Sequence, residues 1–332
     1  MRTILRFAIG FAFLAILFWK VDFSEVGQAL SQSLQHPYYF ALAILLVFVA
    51  LFIVAFRWYR MLDALDVDLG FWSCFRIFFI GQFFNTFMPG ACGGDAVRAY
   101  YAVRETDGGR RAEAGATVLA DRAIGLLATF MFVGVMMVYR LPALLGKTET
   151  KSAVVFIGLF LSLVLVGLVI VFRVNIFERW RILREFSENS SIGALLRRVY
   201  DALYFFRSSP VFLLEMFAYS LVNLILLAFS CQAFALSMEL NVQLIDTLTY
   251  FPVLTVLASI PLTPGGLGIR EYMFADLFAT VGVPHASGMA LSLLVYFSGI
   301  VAGIVGGLIF IGHSSAGGRR IREELEELKE QP

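Results

Sequence analysis

The chain is poor in the residues that build metal sites, disulfide frameworks and soluble surfaces. It has three cysteines and three histidines among 332 residues, and they are scattered without a CxxC or other ligand spacing. Neither a disulfide framework nor a metal or other cofactor is predicted from them. Charged residues make up only 15% of the chain, against about 25% in a typical soluble domain. This deficit argues against a soluble protein.

The apolar residues are abundant instead, and they are grouped in blocks. They make up 59% of the chain, and the mean hydropathy is +0.81. A helix that crosses a bilayer needs about 20 predominantly apolar residues. Six stretches of roughly that kind predict six full membrane spans in an all-α polytopic protein: 7–19, 37–56, 123–139, 152–172, 216–238 and 286–312.

Two further uncharged stretches, 77–94 and 247–269, contain residues that interrupt a helix. The first includes Pro89-Gly90 and the second includes Pro264-Gly265. Such breaks leave backbone groups without partners, and in the hydrocarbon region these are tolerated only inside protein or beside a water-filled cavity. We therefore predict two re-entrant hairpins, each of which enters the membrane and returns to the same side.

The distribution of Lys and Arg supports this topology, because short cytoplasmic loops are enriched in both residues. With two re-entrant hairpins, 19 of the 26 cationic residues, Arg57 among them, lie on one side and four lie on the other. Arg98, Arg122 and Arg270 fall in or next to the membrane motifs. The N- and C-termini are then predicted to be cytoplasmic.

The same assignment divides residues 1–312 into an inverted repeat within one transmembrane domain. The half-repeats run from about 37 to 139 and from about 211 to 312, and each contains a hairpin with a proline at its tip. Paired broken segments in two inverted halves indicate a midplane transport site. Residues 191–207 have helical apolar spacing, which fits an interfacial helix or a solvated connector. Residues 313–332 form a charged tail.

Three pairs of charged residues lie where charge is costly: Asp95 with Arg98, Asp121 with Arg122, and Arg270 with Glu271. Each charge near the bilayer centre costs about 2.5–3.5 kcal/mol, so such groups usually pair or line a pathway. Adjacent residues on a helix do not face each other, so we expect Asp121, Arg122, Arg270 and Glu271 to find partners on other segments. A self-neutralising structural network and a polar cavity both fit this pattern.

The glycine-rich tips favour the cavity. A helix is predicted to restart after Gly93-Gly94 and again after Gly265-Gly266, and the N-terminus of a helix is a ready anion site. Arg98 or Arg270, about one turn in, adds a planar fork suited to phosphate. Gly299, Gly303 and Gly307 recur every four residues and predict a close helix-packing seam.

Together these residues resemble the flippase-like transmembrane family, which includes the membrane half of lysylphosphatidylglycerol synthases. The resemblance covers roughly residues 5–312 and rests on Pro89-Gly90, Gly93-Gly94-Asp95 with Arg98, Asp121-Arg122 with Gly125, and the run from Pro261 to Glu271. It implies two re-entrant elements and a lipid cavity lined by Asp95, Arg98, Asp121, Arg122, Arg270 and Glu271. After the last predicted helix only the short tail 313–332 follows, so aminoacylation of a lipid by this chain alone is not expected.

The leading hypothesis is a flippase or scramblase that moves a phospholipid or polyprenyl-phosphate headgroup across a bacterial-type cytoplasmic membrane. No ATPase motif is found, so transport would run downhill or be coupled to an ion, with Asp95, Asp121 or Glu271 as candidate proton carriers. The alternative is a membrane enzyme or an accessory subunit of a lipid-linked glycosyl or aminoacyl transfer pathway, with Asp95 or Glu271 as a base. A homo-oligomer or a glycosyltransferase partner fits either hypothesis. Binding of nucleic acid is not predicted.

Overall fold

The computed structural model describes residues 31–87, 93–106, 109–145, 209–258 and 269–330. Within these ranges the regular secondary structure is helical, as predicted, with eight helices of more than ten residues. They are α1 (Pro37–Ala64), α2 (Phe71–Phe87), α3 (Gly93–Glu105), α4 (Arg111–Leu145), α5 (Pro210–Ser237), α6 (Leu244–Ala258), α7 (Ile269–Ala279) and α8 (His285–Glu330). The predicted spans 7–19 and 152–172, the interfacial helix 191–207 and both hairpin tips lie outside the described residues.

Four of the helices, α1, α4, α5 and α8, are long and apolar enough to cross a membrane. The predicted spans 37–56, 123–139 and 286–312 each lie within one of these helices, and 216–238 lies within α5 except for its last residue. The 28 residues of α1 and of α5 give rods of about 42 Å at 1.5 Å per residue, longer than a hydrocarbon core of about 30 Å. The chain is therefore a multi-pass membrane protein whose described part is helical.

The two long helices α1 and α5 pack against each other in antiparallel orientation. Near the start of α1, His36 Nε2 lies 2.8 Å from Glu239 Oε1 just beyond the end of α5. Near the end of α1, Arg60 Nε donates to Glu215 Oε1 at the start of α5, at 3.1 Å. The first half of the chain (α1–α4) and the second half (α5–α8) therefore meet along helices that run in opposite directions.

The two halves repeat the same local structure at a constant offset along the chain. Helices α1 and α5 both have proline as their first residue, and both have 28 residues. Each ends in a left-handed residue two positions beyond the helix, Asp66 with φ 50° and Glu239 with φ 56°. In both cases the next amide donates to the carbonyl five residues earlier, which is the Schellman arrangement that satisfies the last carbonyls of a helix. The offset that relates the starts of α1 and α5 also relates the starts of α2 and α6.

The short helices form an antiparallel pair in each half. At the open end of the α2–α3 pair, Arg76 Nη2 donates to Glu105 Oε2 at 2.7 Å, and near its tip the Gly94 amide donates to Asn85 Oδ1 at 2.9 Å. At the open end of the α6–α7 pair, the hydroxyls of Tyr250 and Thr280 form a 2.9 Å hydrogen bond. These helices have 17, 13, 15 and 11 residues, all fewer than the roughly 20 residues of a typical span.

These contacts define two ends of the helix bundle. The end that we call the Arg76 end holds the junctions α1–α2 and α3–α4, where Arg110 pairs with Asp66. The opposite end, which we call the Arg140 end, holds the junctions α5–α6 and α7–α8, where Arg140 of α4 pairs with Asp246 of α6. The α2–α3 pair therefore opens toward the Arg76 end, and the α6–α7 pair opens toward the Arg140 end.

Helix α2 packs on α8 of the other half with backbones in close contact. A Cβ added at Gly306 would overlap the Phe79 carbonyl oxygen, and one at Gly307 would lie 3.0 Å from the Phe83 ring. At Gly303 an added Cβ would meet Thr86 at 3.0 Å. Two of the three glycines predicted to form a packing seam therefore do so, together with Gly306, whereas a Cβ at Gly299 would meet nothing within 4 Å.

Candidate functional site

Five charged side chains from three helices meet in the interior of the first half. Four of them are at least 93% buried, with exposed fractions of 2–7%, and the fifth, Arg122, keeps 29% of its side chain exposed. We call this set the five-charge cluster. Its members are Arg57 of α1, Asp95 and Arg98 of α3, and Asp121 and Arg122 of α4. Three arginines against two aspartates give it a formal charge of +1.

Asp121 lies at the centre of the cluster, and both of its carboxylate oxygens are hydrogen-bonded. Arg57 Nε donates to Oδ1 at 2.8 Å, and Arg98 Nη2 donates to Oδ2 at 3.2 Å. Arg57 Nη2 also donates to the Asp121 backbone carbonyl at 3.1 Å, and Arg57 Nη1 donates to Ser220 Oγ of α5 at 2.5 Å. Gly125 leaves room for this guanidinium, since a Cβ there would lie 3.3 Å from Arg57 Nη2. Arg57 thereby joins the two halves of the molecule.

Arg98 is held between aromatic rings on one side and carboxylates on the other. Its guanidinium carbon lies 4.6 Å from the Trp58 ring centre and 4.8 Å from the Phe78 ring centre. Its Nη1 lies 3.6 Å from Asp95 Oδ1, in addition to the contact with Asp121. Its Nε is buried and has no hydrogen-bond partner in the structure. The Arg98 guanidinium therefore has one buried N–H group without an acceptor.

The restarted helix α3 brings Asp95 to the cluster. Gly93 and Gly94 are its first two residues, and Asp95 follows in its first turn, where a negative charge is favoured by the helix dipole. Asp95 Oδ2 accepts a hydrogen bond from Arg122. The Gly94 amide, which we expected to be open to an anion, instead donates to Asn85 of α2. One of the first amides of α3 is therefore already satisfied by protein.

A second, smaller set of polar side chains lies in the second half. Arg270 Nη2 donates to Glu271 Oε1 at 2.5 Å and Arg270 Nε donates to Ser292 Oγ of α8 at 3.1 Å. The Arg270 guanidinium also stacks over Tyr296 at 4.5 Å. We had expected neighbouring residues on a helix to find separate partners. That expectation holds for Asp121 and Arg122. Arg270 and Glu271 also have a partner on another segment, since Ser292 of α8 accepts from Arg270 and donates to Glu271 Oε1 at 3.5 Å. In addition, the long Arg270 side chain turns back to its neighbour on α7.

The two sets occupy corresponding places in the two halves. Arg98 of α3 and Glu271 of α7 are related by the same 173-residue offset as the starts of α1 and α5. Helix α8 links them, because it contacts Arg270 through Ser292 and Tyr296 and contacts the tip of the α2–α3 pair through Gly303. Seven residues separate Tyr296 from Gly303, about 10 Å along the helix. Gly265 and Gly266 lie outside the described residues.

Two charged contacts were missed by the sequence analysis. Arg57 was placed among the cytoplasmic cations. Helix α1 continues to Ala64, however, and Arg57 is buried, with 4% of the residue exposed. The uninterrupted run from Arg57 to Ala64, without proline or glycine, was the signal that the helix continues. Arg140 is one of the four cations that the topology predicts on the non-cytoplasmic side, and its partner Asp246, 5% exposed, was not singled out. Among the described residues, no three His, Cys, Asp or Glu side chains are grouped to hold a metal ion.

Comparison with known proteins assigns the chain to a family. The model of the lysylphosphatidylglycerol synthase transmembrane region matches residues 3–307. The chain belongs to this family. A UPF0104 membrane protein of Pyrococcus horikoshii is 24% identical over 318 residues, 89% of this chain and 92% of the relative. A UPF0104 membrane protein of Methanothermobacter thermautotrophicus is 26% identical over 307 residues, 85% of this chain and 87% of the relative. No solved structure gives a significant match. The resemblance inferred from the sequence motifs is thus confirmed.

Proposed function

We propose that this protein is a lipid flippase or scramblase that moves a phosphate-bearing headgroup through a polar cavity between its two halves. The acyl tails stay in the surrounding lipid. The observation that carries this proposal is the five-charge cluster, which includes three arginines and is buried beside the N-terminus of α3 inside the bundle. Charged groups at membrane depth usually pair or line a pathway, and guanidinium groups bind the oxygens of a phosphate well.

The proposed arrangement in the membrane has six full spans and two re-entrant hairpins in an inverted repeat. The α2–α3 and α6–α7 pairs support it, because their helices are shorter than a typical span and each pair returns to the end from which it started. The cationic residues favour placing the Arg76 end in the cytoplasm, since Arg60, Arg76, Arg104 and Arg110 all lie there. Both termini are then cytoplasmic, in a bacterial-type cytoplasmic membrane.

The lipid headgroup would bind an arginine by replacing the carboxylate that is hydrogen-bonded to that arginine. Arg122 is the most exposed arginine of the five-charge cluster, and its partner Asp95 is a carboxylate that a phosphate oxygen can replace with similar hydrogen bonds. The guanidinium of Arg270 offers a second phosphate-binding group. It contacts α8 at Tyr296, about 10 Å along that helix from the contact of Gly303 with the end of α2. Because the two sites lie in oppositely oriented halves, a headgroup released from one is positioned to be accepted by the other.

The paired state of the acids supports transport over catalysis. Asp95 and Glu271 each accept a hydrogen bond from an arginine, and such charge-assisted hydrogen bonds are among the strongest in proteins. A general base needs a carboxylate positioned to accept a proton from its substrate. In the proposed mechanism these acids hold the arginines in place until a headgroup arrives.

Headgroup translocation in reconstituted vesicles tests the proposal. Fluorescent phosphatidylglycerol and a polyprenyl phosphate would be assayed separately, each by loss of signal when an impermeant quencher is added outside. We expect Arg98→Ala and Arg270→Ala each to slow translocation by roughly tenfold or more, because a charge-assisted hydrogen bond contributes about 1.5–3 kcal/mol. Arg110→Ala serves as the control, since this side chain is half-exposed and should leave the rate within about twofold.

The proposal fails if both arginine variants are folded and fully active. Mass spectrometry of membrane lipids from a deletion strain separates transport from catalysis. The loss of a covalent lipid species in that strain would favour an enzyme, whereas a changed leaflet distribution of an existing lipid favours a flippase.

A further inference from the structure

Two helix–helix contacts that occupy corresponding places in the two halves are built from different residues. Helix α2 packs on α8, and helix α6 occupies the corresponding place on α4. The α8 positions in contact with α2 are all glycines, which bring the backbones together: Gly303, Gly306 and Gly307. When α4 and α8 are aligned by the 173-residue offset that relates the starts of α1 and α5 and of α2 and α6, the matching α4 positions are Phe130, Val133 and Gly134, two of which carry side chains.

The backbone contact at Gly306, where an added Cβ would overlap the Phe79 carbonyl oxygen, has no glycine counterpart on α4, because the matching residue is Val133. At the Arg140 end, α6 is joined to α4 by the ion pair of Arg140 with Asp246. Asp246 is 5% exposed and lies in the first turn of α6. The Arg140 side chain is 25% exposed, so water reaches one face of this pair.

The Arg140 end is also the shorter route to the second polar set. Ser292, which contacts Arg270, lies seven residues after the start of α8 at His285. Seven residues correspond to about 10 Å of helix. From the Arg76 end, where His313 of α8 lies 3.2 Å from Glu105, the same serine is three times as far along the helix, or about 31 Å.

We infer that the Arg140–Asp246 ion pair is a gate. While it is formed, it holds α6 against α4 and closes the Arg140 end. When it separates, α6 moves away from α4 and opens a water-filled path to Arg270, while the glycine contact of α2 with α8 keeps the opposite end closed. The inference rests on the proposed polar cavity, but it concerns access to that cavity and not the identity of the ligand.

Side-selective cysteine labelling tests the gate. Ser292→Cys would be placed in a chain whose three native cysteines are replaced by alanine, and an impermeant maleimide would be applied to spheroplasts and to inverted vesicles. We expect Asp246→Asn to raise the labelling rate roughly tenfold from the face of the Arg140 end, because the change removes the charge that Arg140 pairs with. The rate from the other face should be unchanged. The exchange Arg140→Asp with Asp246→Arg should restore slow labelling.

A matched control is Arg60→Gln, which breaks another ion pair between the halves at the opposite end and should leave labelling from the Arg140 end unchanged. An unchanged rate in Asp246→Asn, or an equal rise from both faces, would overturn the inference.

A cross-linking variant keeps the test decisive if Asp246→Asn is unstable. Arg140→Cys with Asp246→Cys, joined by a short reversible cross-linker, should hold the gate closed. Labelling at position 292 from that face should then stop and should return after reduction. A cross-linked protein that is labelled as fast as the reduced one would refute the gate. Neither labelling result depends on lipid movement, so failure of the flippase proposal would be recognised separately by the vesicle assay.

Discussion

Replacing Arg57 by glutamine would remove the positive charge that faces Asp121 in the interior of the first half. Arg57 makes three hydrogen bonds across α1, α4 and α5, two to Asp121 and one to Ser220. The side chains of Arg57 and Asp121 are 5% and 3% exposed, so water cannot replace the lost donors. Removing one partner of a buried pair costs about 3–5 kcal/mol, because the other charge stays buried without full compensation.

Arg98 remains bound to the second oxygen of Asp121, which lowers this cost. We therefore expect Arg57→Gln to reduce the free energy of unfolding by about 3 kcal/mol, the lower end of that range. Reversible unfolding in mixed micelles with increasing SDS, followed by tryptophan fluorescence, measures this difference. Trp58 is a suitable reporter, since it stacks on Arg98 and its Nε1 donates to Thr117 Oγ1 at 3.1 Å.

Arg60→Gln is the matched control, one turn further along the same helix. Arg60 pairs with Glu215 at 3.1 Å, but the two side chains are 34% and 30% exposed. A pair that reaches water contributes about 0–1 kcal/mol. In addition, Asp121→Asn combined with Arg57→Gln should cost clearly less than the sum of the two single changes, because they remove one interaction. If Arg57→Gln costs no more than Arg60→Gln, or if the two changes are additive, the reasoning about the buried cluster is wrong.

Two further predictions concern the backbone. Gly306→Ala should destabilise the protein by at least about 1–3 kcal/mol, the usual cost of overpacking, because its Cβ would overlap the Phe79 carbonyl oxygen. The control is Gly299→Ala on the same helix, whose Cβ meets nothing within 4 Å and which should be neutral or stabilising. SDS unfolding of both variants measures this difference. Asp66→Gly and Glu239→Gly should each stabilise by roughly 0.5–1 kcal/mol, since both residues hold a left-handed conformation that costs about 1–2 kcal/mol in a side-chain-bearing residue. Unequal signs for these two changes would contradict the equivalence of the two helix ends.

Much of the helical framework follows from local sequence alone. An apolar run of about 20 residues has one low-energy structure in a bilayer, a helix, because every backbone group must be paired internally. The four long described helices therefore contain the stretches that hydropathy predicts. Proline at 37 and 210 marks two helix starts, since the first helical position needs no amide donor. Proline is a weaker guide inside a helix: Pro252 lies in the stretch 247–269, which is predicted to be interrupted, yet α6 continues through it.

The pairing of charges depended on tertiary structure. Sequence analysis identified Asp95, Arg98, Asp121 and Arg122 as unusual, because charge at membrane depth is rare in any sequence. Which of them contact each other depends on the rotation of α3 and α4 about their axes, and local spacing does not determine that rotation. The central position of Arg57 depends on α1 lying against both α4 and α5, a contact between residues 64 and 163 positions apart. The sequence by itself determined which residues cannot face lipid unpaired, and packing of the helices decided the partner of each.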